Sequence, residues 1–150
     1  MKKLILVSLL LLSSLLVKGQ TETVKYVELN TGFSTGTVPF FPGGSIMVGA
    51  THKFDSGIIL DYEGGVAIPT IITLKGGVGF NIKKDIITFG IRPWPGSVYA
   101  QYEIMRPGKS SDIVLTAEGS LGVIQTSIFT IGWRWKNKPY KEAFKFSTYQ

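Results

Sequence analysis

The chain lacks cysteine altogether. That excludes a disulfide framework, a thiolate metal site, a cysteine nucleophile and a lipid-acylated cysteine anchor. Histidine occurs once, as His52. No G-x-S-x-G, H-E-x-x-H or phosphate-binding loop is present. The run Gly76-Gly77-Val78-Gly79 sits in strand-like sequence and opens no helix, so it is a poor nucleotide-binding signal. Charges are scattered rather than blocked, which gives nucleic-acid binding little support. Beyond residue 19 there is almost no helical period and no domain linker. No cofactor and no metal is expected.

The one long apolar run is at the start. Lys2 and Lys3 precede Leu4 to Val17, an apolar stretch broken only by Ser8, Ser13 and Ser14. Residues 1–19 therefore read as a signal peptide, with cleavage expected before Gln20. The run is shorter than the ~20 residues of a membrane-spanning helix. The net charge of +6 is reduced if Lys2, Lys3 and Lys18 leave with the signal. Part of the remaining basic excess lies toward the C-terminus, at Lys136, Lys138, Lys141 and Lys145.

What is abundant is alternation of period two, interrupted by turn chemistry. In the segment Ile58 to Ile68, Ile58, Leu60, Tyr62, Val66 and Ile68 share a face opposite Asp61, Glu63, Gly65 and Ala67. Ile72, Leu74, Val78, Phe80 and Ile82 oppose Thr73, Lys75, Gly77, Gly79 and Asn81. Similar runs cover Val27 to Phe33, Ile46 to Phe54, Ile87 to Arg92, Val98 to Ile104, Ile113 to Val123 and Phe129 to Trp135. About eight strands follow. The expected turns include Asp55-Ser56-Gly57, Ile68-Pro69-Thr70, Lys83-Lys84-Asp85, Pro93 to Gly96, Arg106 to Ser111 and Gln125-Thr126-Ser127. The longest expected loop is Thr35 to Gly44, and prolines are expected in connections, outside strand middles.

Alternation alone fits two opposite barrels. A soluble lipocalin-like barrel in the periplasm would turn the apolar face inward, around an apolar ligand. A membrane barrel would turn it outward to lipid. The polar face decides. It is dominated by Gly, Thr, Ser and Asn rather than long Lys and Glu side chains, which suits a cramped lumen. The expected fold is all-β, a single antiparallel up-and-down barrel of about eight strands over residues 20–136, with a tail at 137–150. Tyr62, Tyr102, Trp133 and Trp135 fall on the apolar face, where lipid-interface aromatics belong.

With its signal peptide and aromatic last strand, Phe129 to Trp135, the chain resembles small outer-membrane barrels of the OmpA-transmembrane and OmpX-like type. The resemblance covers roughly Val24 to Lys136 and is architectural. It implies an integral outer-membrane protein in contact with outer-membrane lipid; the expected role is structural or interaction, and with no catalytic motif in the sequence no catalysis is expected. The family ordinarily ends at an aromatic residue in its last strand, whereas this chain continues to Gln150. The loops are shorter than those of adhesive members. Partners, if any, are expected at loop 35–44, with Phe40 and Phe41, or at tail 137–150.

The polar parity collects Glu28, Asp61, Glu63, Glu103 and Glu118 with Lys53, Lys75, Arg92 and Arg134. A hairpin tip at Pro69-Thr70 puts Glu63 opposite Lys75, and Arg134 is expected diagonal to Glu118. Charges taken from water need partners. A closed, charge-balanced network is expected, with a gated narrow pore as the alternative. Some eight-stranded outer-membrane enzymes modify lipid A with a histidine, a serine and an acid. His52 lies near Asp55 and Ser56, but the expected role is an interfacial polar residue beside a turn.

Overall fold

A computed structural model describes residues 20–36, 41–94, 96–121 and 126–139. The expected signal peptide, Phe40 and tail residues 140–150 lie outside the described residues. Eight strands run in chain order: β1 (Gln20–Gly36), β2 (Phe41–Phe54), β3 (Ile58–Ile68), β4 (Ile71–Ile82), β5 (Asp85–Trp94), β6 (Ser97–Ile104), β7 (Ser111–Ser120) and β8 (Thr126–Lys136). Each pairs antiparallel with the next, and β8 pairs with β1, closing the barrel. The all-β up-and-down barrel expected from alternation is the observed fold.

Closure fixes the barrel's dimensions. Paired residues can be followed around the wall from Glu22 through Lys53, Ile59, Gly79, Thr88, Gln101, Thr116 and Thr130 to Gly32. The circuit returns to β1 ten residues beyond its start. A stagger of that size over eight strands means a tilt of about 40° and a backbone radius of roughly 8 Å. A ten-residue strand then climbs about 25 Å, the height of an outer-membrane apolar band. The interior has room for side chains and little else.

The two rims differ in what they carry. The terminal rim holds the start of β1, the end of β8 and the turns β2–β3, β4–β5 and β6–β7. The opposite, hairpin rim holds the turns β1–β2, β3–β4, β5–β6 and β7–β8. The apolar parity faces outward all around the wall. Val48, Val66, Ile72, Leu74, Val78, Phe89 and Ile91 are each at least half exposed. The polar parity faces in. This arrangement contradicts the lipocalin-like alternative, which needs the Ile/Leu/Phe face inside.

Several boundaries differ from the sequence reading. Thr35 and Gly36 belong to β1, and Phe41 to Gly44 to β2, so six of the ten residues of the expected loop lie in strands. The glycines and Pro42 are accommodated because Gly43, Gly44 and Pro42 pair with Gly32, Thr31 and Phe33. Pro42 and Pro93 therefore lie within strands, though near strand ends, where one missing amide donor is tolerated. Thr126 and Ser127 belong to β8 rather than to a turn, because Gly119 pairs with Ser127. The polar parity also carries apolar residues that alternation left unassigned. Val24, Ile59, Ile86 and Val114 are buried inside. Three of them come from the doublets Ile58-Ile59, Ile86-Ile87 and Ile113-Val114, in which one side chain faces out and the other in.

Candidate functional site in the barrel interior

All nine charged residues assigned to the polar parity are buried: Glu28, Lys53, Asp61, Glu63, Lys75, Arg92, Glu103, Glu118 and Arg134. Two more join them, Asp112 and Lys136. Both continue the parity of β7 and β8, by one residue before Ile113 and one after Trp135. Alternation alone starts β7 at Ile113, ends β8 at Trp135 and leaves Lys136 with the basic tail, whereas the strands begin at Ser111 and end at Lys136. Lys136 pairs with Tyr26 of β1 and so remains in the closing ladder.

The charges form one connected series along the lumen. At its terminal end Lys136 Nζ contacts Asp112 Oδ2 and lies 3.4 Å from Glu103 Oε1. Glu103 accepts a 2.8 Å bond from Arg134 Nη1, and Arg134 Nε donates to Glu28 at 2.6 Å. Arg134 Nη2 stands 3.5 Å from Asp61 and 3.7 Å from Glu63. Four carboxylates thus surround one guanidinium. Lys75 continues the series, 3.3 Å from Glu63 and 3.2 Å from Glu118. Arg92 closes it toward the hairpin rim with a 2.6 Å bond to Glu118. Lys53 is buried near the terminal rim.

Register explains which expected pairs form. Glu63 lies opposite Lys75, as the Pro69-Thr70 tip requires. The expected diagonal between Arg134 and Glu118 is not observed. Asp112 is the residue opposite Arg134, and Glu118 lies opposite Ile128, farther toward the hairpin rim. Arg134 takes its main partners from β1 and β6 instead, strands brought to it by closure and by reach across the lumen.

Neutral side chains hold the charges in place. Tyr26 Oη donates to Asp61 at 3.0 Å and lies 3.3 Å from Glu63. Its ring lies 3.8 Å below the Arg134 guanidinium carbon, within cation–π distance. Thr51 donates to Asp61 at 2.6 Å, and Asn30 to Glu28 at 2.8 Å. Tyr26 and Tyr99 fit only because the facing wall has no side chain. A Cβ at Gly49 would sit 2.5 Å from the Tyr26 hydroxyl, and one at Gly77 would sit 2.6 Å from the Tyr99 hydroxyl. Interior glycine is therefore the space into which the two rings fold. Near the hairpin rim, Asn30, Thr70, Arg92 and Thr130 line a cavity of about 70 Å³.

The outward residues are arranged differently. Tyr62, Trp133 and Trp135 are exposed on the wall, and Tyr102 is half-buried. All four lie in the half of the barrel nearer the terminal rim. Trp135 pairs with Ser111, the first residue of β7, and Tyr102 donates to Asp85, the first of β5, at 2.7 Å. His52 is half-buried on this outer face. Its Nε2 lies 3.0 Å from Tyr62 Oη, its Nδ1 lies 2.9 Å from Thr23 Oγ1, and its ring stacks on Tyr62. Those contacts occupy both ring nitrogens. Among the described residues, no group of three or more His, Asp or Glu is arranged to hold a metal ion.

No protein-family model matches this chain, and no curated protein matches it. Two solved structures are similar in shape. One is the solution NMR structure of a de novo designed protein, TMB2.3, with a TM-score of 0.51 and 14% identity, over 81% of this chain and 98% of that one. The other comes from work on the de novo design of transmembrane β-barrels, with a TM-score of 0.49 and 14% identity, over 79% of this chain and 98% of that one. At that identity the likeness concerns the fold alone: a closed, eight-stranded antiparallel barrel.

Proposed function

We propose that the protein is an integral outer-membrane barrel with a sealed interior, serving a structural or interaction role rather than catalysis or bulk transport. One observation carries this reading: the wall is apolar outside and ion-paired inside. A continuous apolar exterior of this extent exceeds what a soluble monomer normally exposes. It matches the lipid-facing surface of a transmembrane barrel, and closure leaves no backbone edge unpaired in hydrocarbon. The ion-pair series fills a lumen only as wide as its side chains, so it acts as a plug instead of a gated path. The outer-membrane location rests on the apolar N-terminal segment read as an export signal.

Two measurements test the proposal together. Membranes from cells expressing the chain are washed with carbonate and then urea, and the pellet is run on gels with and without heating. Retention in the pellet and a heat-dependent shift in mobility are expected. Release into the soluble fraction would overturn the membrane reading.

A further inference from the structure

Among the described residues, the charges that do not face the lumen are confined to one end of the barrel. Residues 29–51, 64–74, 93–102 and 119–133 contain no Asp, Glu, Lys or Arg. These four stretches are the hairpins that build the hairpin rim. Interior charges bracket each of them: Glu28 and Lys53, Glu63 and Lys75, Arg92 and Glu103, Glu118 and Arg134. The hairpin rim instead exposes Ile68, Ile71, Trp94 and Leu121.

The terminal rim has the opposite character. Lys25 projects from the outer face of β1, Lys83 and Lys84 form the β4–β5 turn, and Lys109 lies in the β6–β7 turn; all four are exposed. Arg106 and Lys138 stand beside them. The acids at this rim are Glu22, Asp55 and Asp85, and two of them are engaged. Asp85 accepts from the Tyr102 hydroxyl at 2.7 Å and the Met105 amide at 3.1 Å, and Glu22 lies 4.0 Å from Lys138. A basic excess therefore rings one mouth, directly below the wall region that carries Trp133, Trp135, Tyr62 and Tyr102. Aromatic side chains on the wall and cations just beyond them are the order of groups met on leaving an acyl layer for its headgroups.

We propose that the terminal rim is a docking surface for anionic phospholipid headgroups, contacted through Lys25, Lys83, Lys84 and Lys109. The proposal rests on the membrane reading above and adds to it a lipid class and a direction. The uncharged hairpins cross the hydrocarbon carrying no charge on their tips. The basic rim stays on the side from which the barrel came, held by phosphate.

The test uses the full chain, diluted from urea into vesicles of phosphatidylcholine alone or of equimolar phosphatidylcholine and phosphatidylglycerol. Folding is read as the heat-shifted gel band. Wild type is compared with the combined Lys25→Gln, Lys83→Gln, Lys84→Gln and Lys109→Gln variant and with the matching Lys→Arg variant. The expected result is faster folding into the anionic vesicles at low salt. That preference falls roughly tenfold or more in the glutamine variant, is kept in the arginine variant, and is suppressed by high salt. Equal preference in wild type and the glutamine variant would overturn the docking surface while leaving the membrane barrel intact. Failure to fold into either vesicle would overturn both readings.

Discussion

At the scale of single residues, Arg134 is the most consequential side chain. Four carboxylates depend on it, from β1, β3 and β6. Removing one member of a buried charge pair costs about 3–5 kcal/mol, because the partner stays buried without compensation. Arg134→Met is expected to lose at least that much, measured as urea unfolding in detergent micelles or vesicles. Arg134→Lys restores the charge but not the fork that reaches Glu28 and Glu103 at once, so only part of the loss returns. If Arg134→Met unfolds at the wild-type urea concentration, the network is not what organises the lumen. These ion pairs are shielded from solvent ions, so added salt is expected to leave wild-type unfolding nearly unchanged.

The strands, as elements, carry two faces with opposite tolerances. Val48 points outward from the middle of β2 and is more than half exposed. On a soluble protein, Val48→Arg at such a site is close to neutral. On a lipid-facing wall near mid-height it costs about 2–4 kcal/mol. Unfolding of the Val48→Arg variant in vesicles therefore reports directly on what that face touches. The neighbouring residue, Gly49, faces in and makes room for the Tyr26 ring. Gly49→Val forces the ring off Arg134 and is expected to cost about 1–3 kcal/mol through overpacking. A loss of Tyr near-ultraviolet circular dichroism should accompany it. Unchanged stability and spectrum would mean that the ring is not held there. Adjacent residues thus answer to unrelated surroundings, Val48 to whatever covers the outer wall and Gly49 to the packed interior.

For the molecule as a whole, the prediction concerns conduction. Glu63→Gln removes one carboxylate from the middle of the series and leaves Lys75 with Glu118 alone. The variant is expected to be less stable in urea while planar bilayers show no large new conductance, because the lumen stays filled. A large conductance increase would favour the gated path over the plug. Alternation by itself determined the barrel class, which side chains share a face, and the Glu63–Lys75 pair, since parity and a two-residue turn are local properties of the chain. It also held the signal for Asp112 and Lys136, whose parity is plain once the strands are drawn a residue longer. The partners of Arg134 were not legible. They depend on how far β8 is staggered against β1 and on which strands face each other across roughly 8 Å of radius, and both are set only when the sheet closes. The direction of the apolar face was legible in composition, because a polar parity of Gly, Thr, Ser and Asn suits a cramped interior better than open water. What only closure decided is how narrow that interior becomes, so that the Tyr26 and Tyr99 rings fold into the space left at Gly49 and Gly77 while the charges find partners across the lumen.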